Sequence, residues 1–197
     1  LTTGNILLVA GKGHEKIQEI GNRKIYFSDK KIILDAIKLK NFNLSNNLKL
    51  NLIKESSGDK KLNTNLTLGQ AKINSKEVKK NDIFFAIRGR KNDGNKFVEE
   101  ALKKKASIVI VNKIKKKLDN KKQIKVMDSL KFLTETSSIF RENIDAKIIA
   151  ITGSCGKTTL KELLGKTLKK IAKTTISPKS YNNKYGVPLS LFNLSKN

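Results

Sequence analysis

The stretch Thr152-Gly153-Ser154-Cys155-Gly156-Lys157-Thr158-Thr159 brings together residue types that handle phosphate. Glycines at 153 and 156 let backbone N–H groups converge on an anion, and a lysine and hydroxyls follow at once. Lys157 has the charge and reach for the β- and γ-phosphates of a nucleotide, and the Thr158 hydroxyl suits Mg²⁺. Gly153, Ser154, Cys155, Gly156, Lys157, Thr158 and Thr159 therefore form a candidate ATP-binding loop. Lys157 and Thr158 are its catalytic candidates, and Thr158 is its metal candidate. A strict Walker A loop carries glycine five residues before Gly156; Ile151 stands there, so this loop is a variant. Cys155 is the single cysteine, which excludes an internal disulfide. No histidine lies near it in sequence to activate the thiol, so it reads as a loop residue rather than a nucleophile. The single histidine, His14, has no cysteine or histidine partner for a metal and reads as shaping the loop Gly11-Lys12-Gly13-His14-Glu15.

A phosphate loop works only if a strand delivers it and a helix follows, so that the helix N-terminus faces the anion. Lys147 to Thr152 is an apolar run that predicts the strand, and Lys157 to about Lys170 predicts the helix. Thr174 to Ser177 predicts the next strand. Val187-Pro188 places proline in the first turn of another helix. Upstream, Ile83 to Ile87 is a continuous β-forming run that predicts a buried strand. Phe97 to Lys105 predicts a helix with Phe97, Val98, Ala101 and Leu102 inward. Lys72–Asn74, Ser107–Val111 and Ile124–Met127 predict further strands. Ser129 is the expected cap of a helix reaching Glu142, with Leu130, Leu133, Ser137 and Phe140 in one stripe. Asn5–Ala10 and Ile25–Phe27 predict strands before a helix over Lys30–Leu39, capped at Ser28-Asp29. The Asn-rich stretch 42–47 lacks a period and is expected to be a linker. Leu48–Glu55 predicts a short helix. Strands alternate with helices, so the class is α/β.

The chain has 197 residues and a formal net charge of +25. Such a charge attracts polyanions in general. Only Arg23, Arg88, Arg90 and Arg141 are arginines, whereas base readout favours arginine. The lysines are spread along the chain, so no specific nucleic-acid partner is expected. No run approaches the roughly 20 apolar residues of a membrane span. The N-terminus does not read as a secretory signal. A reducing, cytoplasmic setting fits the cysteine usage. The chain does not begin with methionine, which raises the expectation of a piece of a longer protein.

TGSCGKTTLKELL followed by YNNKYGVPLSLFNL resembles the Mur ligase family of peptidoglycan synthesis, in its branch that adds D-alanyl-D-alanine. INSKEVKKNDIFFAIRGRKNDGNKFVEEAL resembles the N-terminal domain of the same branch. Together the likeness covers roughly residues 48–197. Asn74-Ser75-Lys76 stands where that family has Asp-Ser-Arg, Asn95 where a histidine is common, and Asn81 where a turn glycine is usual. The first residues, LVAGKGHEKIQEI and FSDKKIILDAI, are similar to the closing segment of another branch, which adds the third peptide residue. The resemblance implies four segments. These are a tail of that other ligase at 1–41, a linker at 42–47, an N-terminal UDP-substrate domain at 48–145, and the beginning of an ATPase domain with a parallel sheet at 146–197. It implies ATP and Mg²⁺ as cofactors, and UDP-N-acetylmuramoyl-tripeptide and D-alanyl-D-alanine as partners. Ser75, Asn182 and Asn183 fall at UDP-substrate positions, and Gly11 and Glu15 at diaminopimelate positions. The implied reaction passes through an acyl phosphate, serves cell-wall biogenesis, and is carried out by a monomer. With the ATPase domain cut short, the 197 residues by themselves are expected to be inactive. From the residues alone, another P-loop enzyme such as a kinase, or a basic nucleic-acid-binding module, are the alternatives.

Overall fold

Parallel β-structure dominates where the sequence is most apolar. The computed structural model describes residues 17–20, 23–26, 28–63, 65–89, 92–178 and 183–194. The expected strand Asn5–Ala10 and the residues Gly11, His14, Glu15 and Asn182 lie outside them. The chain divides into two compact units, Leu1–Asn43 and Leu44–Asn197.

In the first unit, β1 (Ile17–Ile20) pairs antiparallel with β2 (Arg23–Tyr26), Ile17 opposite Tyr26 and Ile20 opposite Arg23. Helix α1 runs Asp29–Ser57, and its residues from Leu44 belong to the second unit. The Ser28 hydroxyl caps it, accepting from the Lys31 N–H at 3.3 Å. Leu34 and Ile37 on this helix are half exposed.

The stretch 42–47, expected as a linker, is helical within α1. Asparagine is a poor helix former, so the reason is tertiary. Asn46 Nδ2 donates to the Leu66 carbonyl at 2.9 Å, and Asn46 Oδ1 accepts from the Leu68 N–H at 2.6 Å. One turn on, Leu50 and Ile53 are fully buried. Those contacts exist only if residues 45–53 are helical.

The second unit is built on a four-stranded sheet of β3 (Ala71–Lys72), β4 (Ile83–Phe85), β5 (Ile108–Val111) and β6 (Gln123–Lys125), in that order and all parallel. Period-2 alternation sorts its side chains. Ile83, Phe85, Ile108, Ile110 and Ile124 join one core with Leu50, Ile53, Leu133, Phe140 and Phe192. Phe84, Ala86, Val109 and Val111 face the opposite core with Val98 and Ala101 of α2 (Val98–Lys103). A sheet covered on both faces explains why these strands are apolar throughout. Phe97 lies in a 3₁₀ turn and is 42% exposed rather than inward.

Helix α3 spans Ser129–Glu142, but its cap is Asp128, whose Oδ1 accepts from Leu130 and Lys131 N–H at 2.7 and 3.0 Å. The Ser129 hydroxyl instead donates to Asn112 Oδ1 at 3.1 Å. Helix α4 is Lys157–Leu168 and α5 is Gly186–Phe192. The strands expected at Lys147–Thr152 and Thr174–Ser177 do not form. A parallel strand needs a neighbouring ladder for its backbone groups. Neither segment has one among the described residues, and Ile148 and Ile149 are more than half exposed.

Helix α5 is seated in the sheet's core. Phe192 meets Phe85 edge-on at 5.8 Å and Phe140 at 5.5 Å between ring centroids. Next to it, the Asn193 amide engages both backbone groups of Ala71. Oδ1 accepts from the N–H at 2.7 Å, and Nδ2 donates to the carbonyl at 3.0 Å.

Candidate nucleotide and substrate site

The loop before α4 turns on two glycines. Gly156 sits at φ +74° and Gly153 at φ +149°. A Cβ on Gly156 would meet open space, so its requirement for glycine is conformational and not steric. Gly156 is the N-cap residue of α4, and no side chain caps the first turn. The leading N–H groups of the helix therefore stand open to an anion. Lys157 folds across the loop: its Nζ donates to the Gly153 carbonyl, and to the Ser154 carbonyl at 2.9 Å. Ser154, Cys155, Thr158 and Thr159 are exposed along the same turn. The structure thus gathers Gly153, Ser154, Gly156 and Lys157 into one cationic, amide-lined loop. That donor set fits a polyphosphate. Among the described residues no group of three or more His, Cys, Asp or Glu comes together to hold a metal. The exposed Thr158 hydroxyl fits as one ligand of a Mg²⁺ carried by a nucleotide.

Close approach fixes α4 against the segment that follows. A Cβ on Gly165 would fall 2.3 Å from Ile176 Cδ1, and Lys161 Nζ donates to the Ser177 carbonyl at 2.7 Å.

Ser75 lies elsewhere, in the 3₁₀ turn after β3. It is buried, and its hydroxyl donates to Glu100 Oε2 at 2.7 Å. Lys104 Nζ closes the cluster on Glu100 Oε1 and on the Ser75 and Lys76 carbonyls, each at 3.0 Å. The Ser75 hydroxyl, and then Lys104, hold the Glu100 carboxyl below the usual carboxylate range. Sequence reasoning missed Glu100 and Lys104, although their i,i+4 spacing was a readable signal. Asn183 lies in the turn before α5, its Oδ1 accepting from Tyr185 and Gly186 N–H at 3.1 and 3.0 Å. Ser75, Asn183 and the phosphate loop share no hydrogen bond with one another among the described residues.

The three asparagines that replace expected residues each do local work. Asn74 caps the 3₁₀ turn, accepting from the Lys76 N–H at 3.1 Å. Asn81 adopts φ +72°, a conformation asparagine tolerates better than other non-glycine residues. Asn95 donates to Asp93 Oδ1 at 2.7 Å and accepts from the Asn112 N–H at 3.2 Å. The Asn95 side chain, then its N–H, keeps the Asp93 carboxyl below its ordinary range.

Two family models match this chain. The Mur ligase family catalytic domain matches residues 70–141, and the Mur ligase middle domain matches residues 151–197. The first covers the parallel sheet with α2 and α3; the second covers the phosphate loop, α4 and α5. The chain belongs to the Mur ligase family. Within that family it is similar to the UDP-N-acetylmuramoyl-tripeptide–D-alanyl-D-alanine ligase of Rickettsia prowazekii, 36% identical over 134 residues, which are 68% of this chain and 30% of that enzyme. The UDP-N-acetylmuramoyl-L-alanyl-D-glutamate–2,6-diaminopimelate ligase of Rickettsia rickettsii is 41% identical over 105 residues, 53% of this chain and 22% of that enzyme. Among solved structures, a MurF crystal structure from Acinetobacter baumannii aligns with a TM-score of 0.59 at 28% identity, over 74% of this chain and 32% of that one. MurF from Thermotoga maritima in complex with ADP aligns with a TM-score of 0.52 at 32% identity, over 66% of this chain and 30% of that one. The chain spans about 30% of the length of the first of these relatives.

Proposed function

We propose that this chain is part of an ATP-dependent ligase that joins D-alanyl-D-alanine to UDP-N-acetylmuramoyl-tripeptide. The tripeptide carboxylate takes the γ-phosphoryl group of ATP, giving an acyl phosphate and ADP. The dipeptide amine attacks the acyl carbon, and inorganic phosphate leaves as the amide forms. Much of the barrier in such a transfer is charge and alignment. Lys157 moves from the Gly153 and Ser154 carbonyls to the phosphates, and the open amides of α4 hold them. Thr158 would hold a Mg²⁺ that arrives with the nucleotide, and the ion would neutralise part of the phosphoryl charge. Ser75, Asn182 and Asn183 serve the UDP-linked substrate. The residues 1–41 are read as the tail of a diaminopimelate-type ligase, with Gly11 and Glu15 assigned to diaminopimelate recognition. Residues 48–145 are read as the UDP-substrate domain and 146–197 as the start of the ATPase domain. The setting is the cytoplasm, where the protein acts as a monomer in cell-wall biogenesis.

The observation that carries this reading is Lys157 lying across a glycine loop whose helix has uncapped leading amides. Titration with ADP by calorimetry is expected to give saturable binding that Lys157→Ala weakens by roughly ten- to a hundredfold, the loss of a charge-assisted contact. Equal binding by both proteins would refute it. The 197 residues alone are expected to release no phosphate with tripeptide and dipeptide present. Turnover dependent on both substrates would overturn that expectation.

A further inference from the structure

We propose that the rim at the carboxyl ends of β5 and β6 is a docking surface for an anionic phospholipid bilayer. Seven of the thirteen residues Lys113–Lys125 are lysine and only Asp119 is acidic, against 42 Lys and Arg in 197 residues overall. The sequence disperses lysines in general, but Lys113, Lys116 and Lys117 follow β5 and Lys125 closes β6, so the fold brings these four to one edge. In a parallel sheet the ends of β4, β5 and β6 point the same way, so the turn before α2, the first part of the β5–β6 connection and the residues after β6 share that edge, whereas Lys121 and Lys122 lead into the amino end of β6.

Hydrogen bonds tie the three pieces together. Asn112 Nδ2 donates to the Met127 carbonyl at 2.7 Å, and Lys115 Nζ reaches the Lys96 carbonyl at 3.4 Å. The connection is also anchored from below. The buried Gln123 accepts from the Lys115 N–H at 2.9 Å through Oε1 and donates to the Lys115 carbonyl at 3.1 Å through Nε2. Lys113, Lys116, Lys117, Lys121 and Lys125 are exposed.

Two apolar side chains lie in the same stretch, Ile114 between Lys113 and Lys115 and Met127 beside the exposed Asp128. Met127 is fully exposed, at 101%, and Ile114 is 37% exposed. An exposed methionine beside exposed lysines suits the headgroup–acyl boundary. Lysines supply attraction to the anionic headgroups, and the apolar tips enter between them. Nucleic acid would favour arginine and stacking aromatics, and the stretch 113–127 has neither.

The test is flotation of the full chain with vesicles of phosphatidylcholine mixed with phosphatidylglycerol, against phosphatidylcholine alone. Binding is expected only to the anionic vesicles and is expected to weaken with salt. The triple variant Lys113→Glu/Lys116→Glu/Lys117→Glu is expected to lose affinity by about a hundredfold or more. A charge-matched control, Lys30→Glu/Lys31→Glu/Lys60→Glu, is expected to bind within a few-fold of the parent, which separates the rim from the net charge. Met127→Asp is expected to abolish the binding that survives at high salt. Binding to neutral vesicles alike, equal loss in the control, no vesicle binding at all, or binding to duplex DNA in place of vesicles would each overturn the proposal.

Discussion

Lys49 shows how far one residue departs from its type. It is buried, with its Nζ 5.1 Å from the Phe140 ring centroid and 5.4 Å from that of Phe192. Burial pushes its amine down from 10.5 to about 8. Below that value both folded and unfolded chains hold the proton, and the folded one carries the full cost of the buried charge. Between about 8 and 10.5 the unfolded chain holds the proton that the folded chain has released, so stability rises with pH across that window. The cost at neutral pH is on the order of 3 kcal/mol, offset by about 1 kcal/mol of attraction to the two rings. Lys49→Met is expected to stabilise the protein by about 2 kcal/mol at neutral pH and to flatten that rise. Urea denaturation of both proteins across the window checks it; parallel curves would refute it. Nothing in the sequence marks Lys49 among so many lysines. The glycine turn before α4, by contrast, was legible, because the positive φ of Gly156 and the helix that follows are set by local backbone chemistry.

At the scale of elements, side-chain amides replace ladder partners. Asn193→Ala removes two bonds and leaves the Ala71 N–H and carbonyl unpaired, so a loss of about 2–3 kcal/mol is expected in chemical denaturation. Gly94 is a second fixed point. A Cβ there would fall 2.6 Å from the Ile87 nitrogen and 2.7 Å from the Ala86 carbonyl carbon. Gly94→Ala must move backbone and is expected to cost about 2 kcal/mol or more, read as a lowered Tm. The strands β4 and β5 and the whole of α3 were legible from periodicity and a polar start. The helical 42–47 was not, because Asn46 earns its place only through Leu66 and Leu68, some 20 residues away. The strand expected at Lys147–Thr152 does not form, because the apolar run lacks a ladder among the described residues. Composition encodes a strand's readiness and says nothing of its neighbours.

For the whole molecule, the two family matches do not coincide with two cores. Leu189 and Phe192 of α5, inside the second match, sit in the same core as Phe85, Leu133 and Phe140 of the first. Within α4 only Gly165 is buried. Hydrogen exchange under native conditions is therefore expected to group the α5 amides with α3 and to show α4 opening more easily. Exchange of α5 together with α4 would contradict this. The seating of α5 has one more effect. β3 is an outermost strand of its sheet, and such flanks ordinarily invite a strand from a neighbouring molecule. With the Asn193 amide on Ala71, an incoming chain finds that pair of groups already taken, and the sheet stops growing there. In a crowded solution of this protein, ribbon-like self-association on that side is blocked by a single carboxamide.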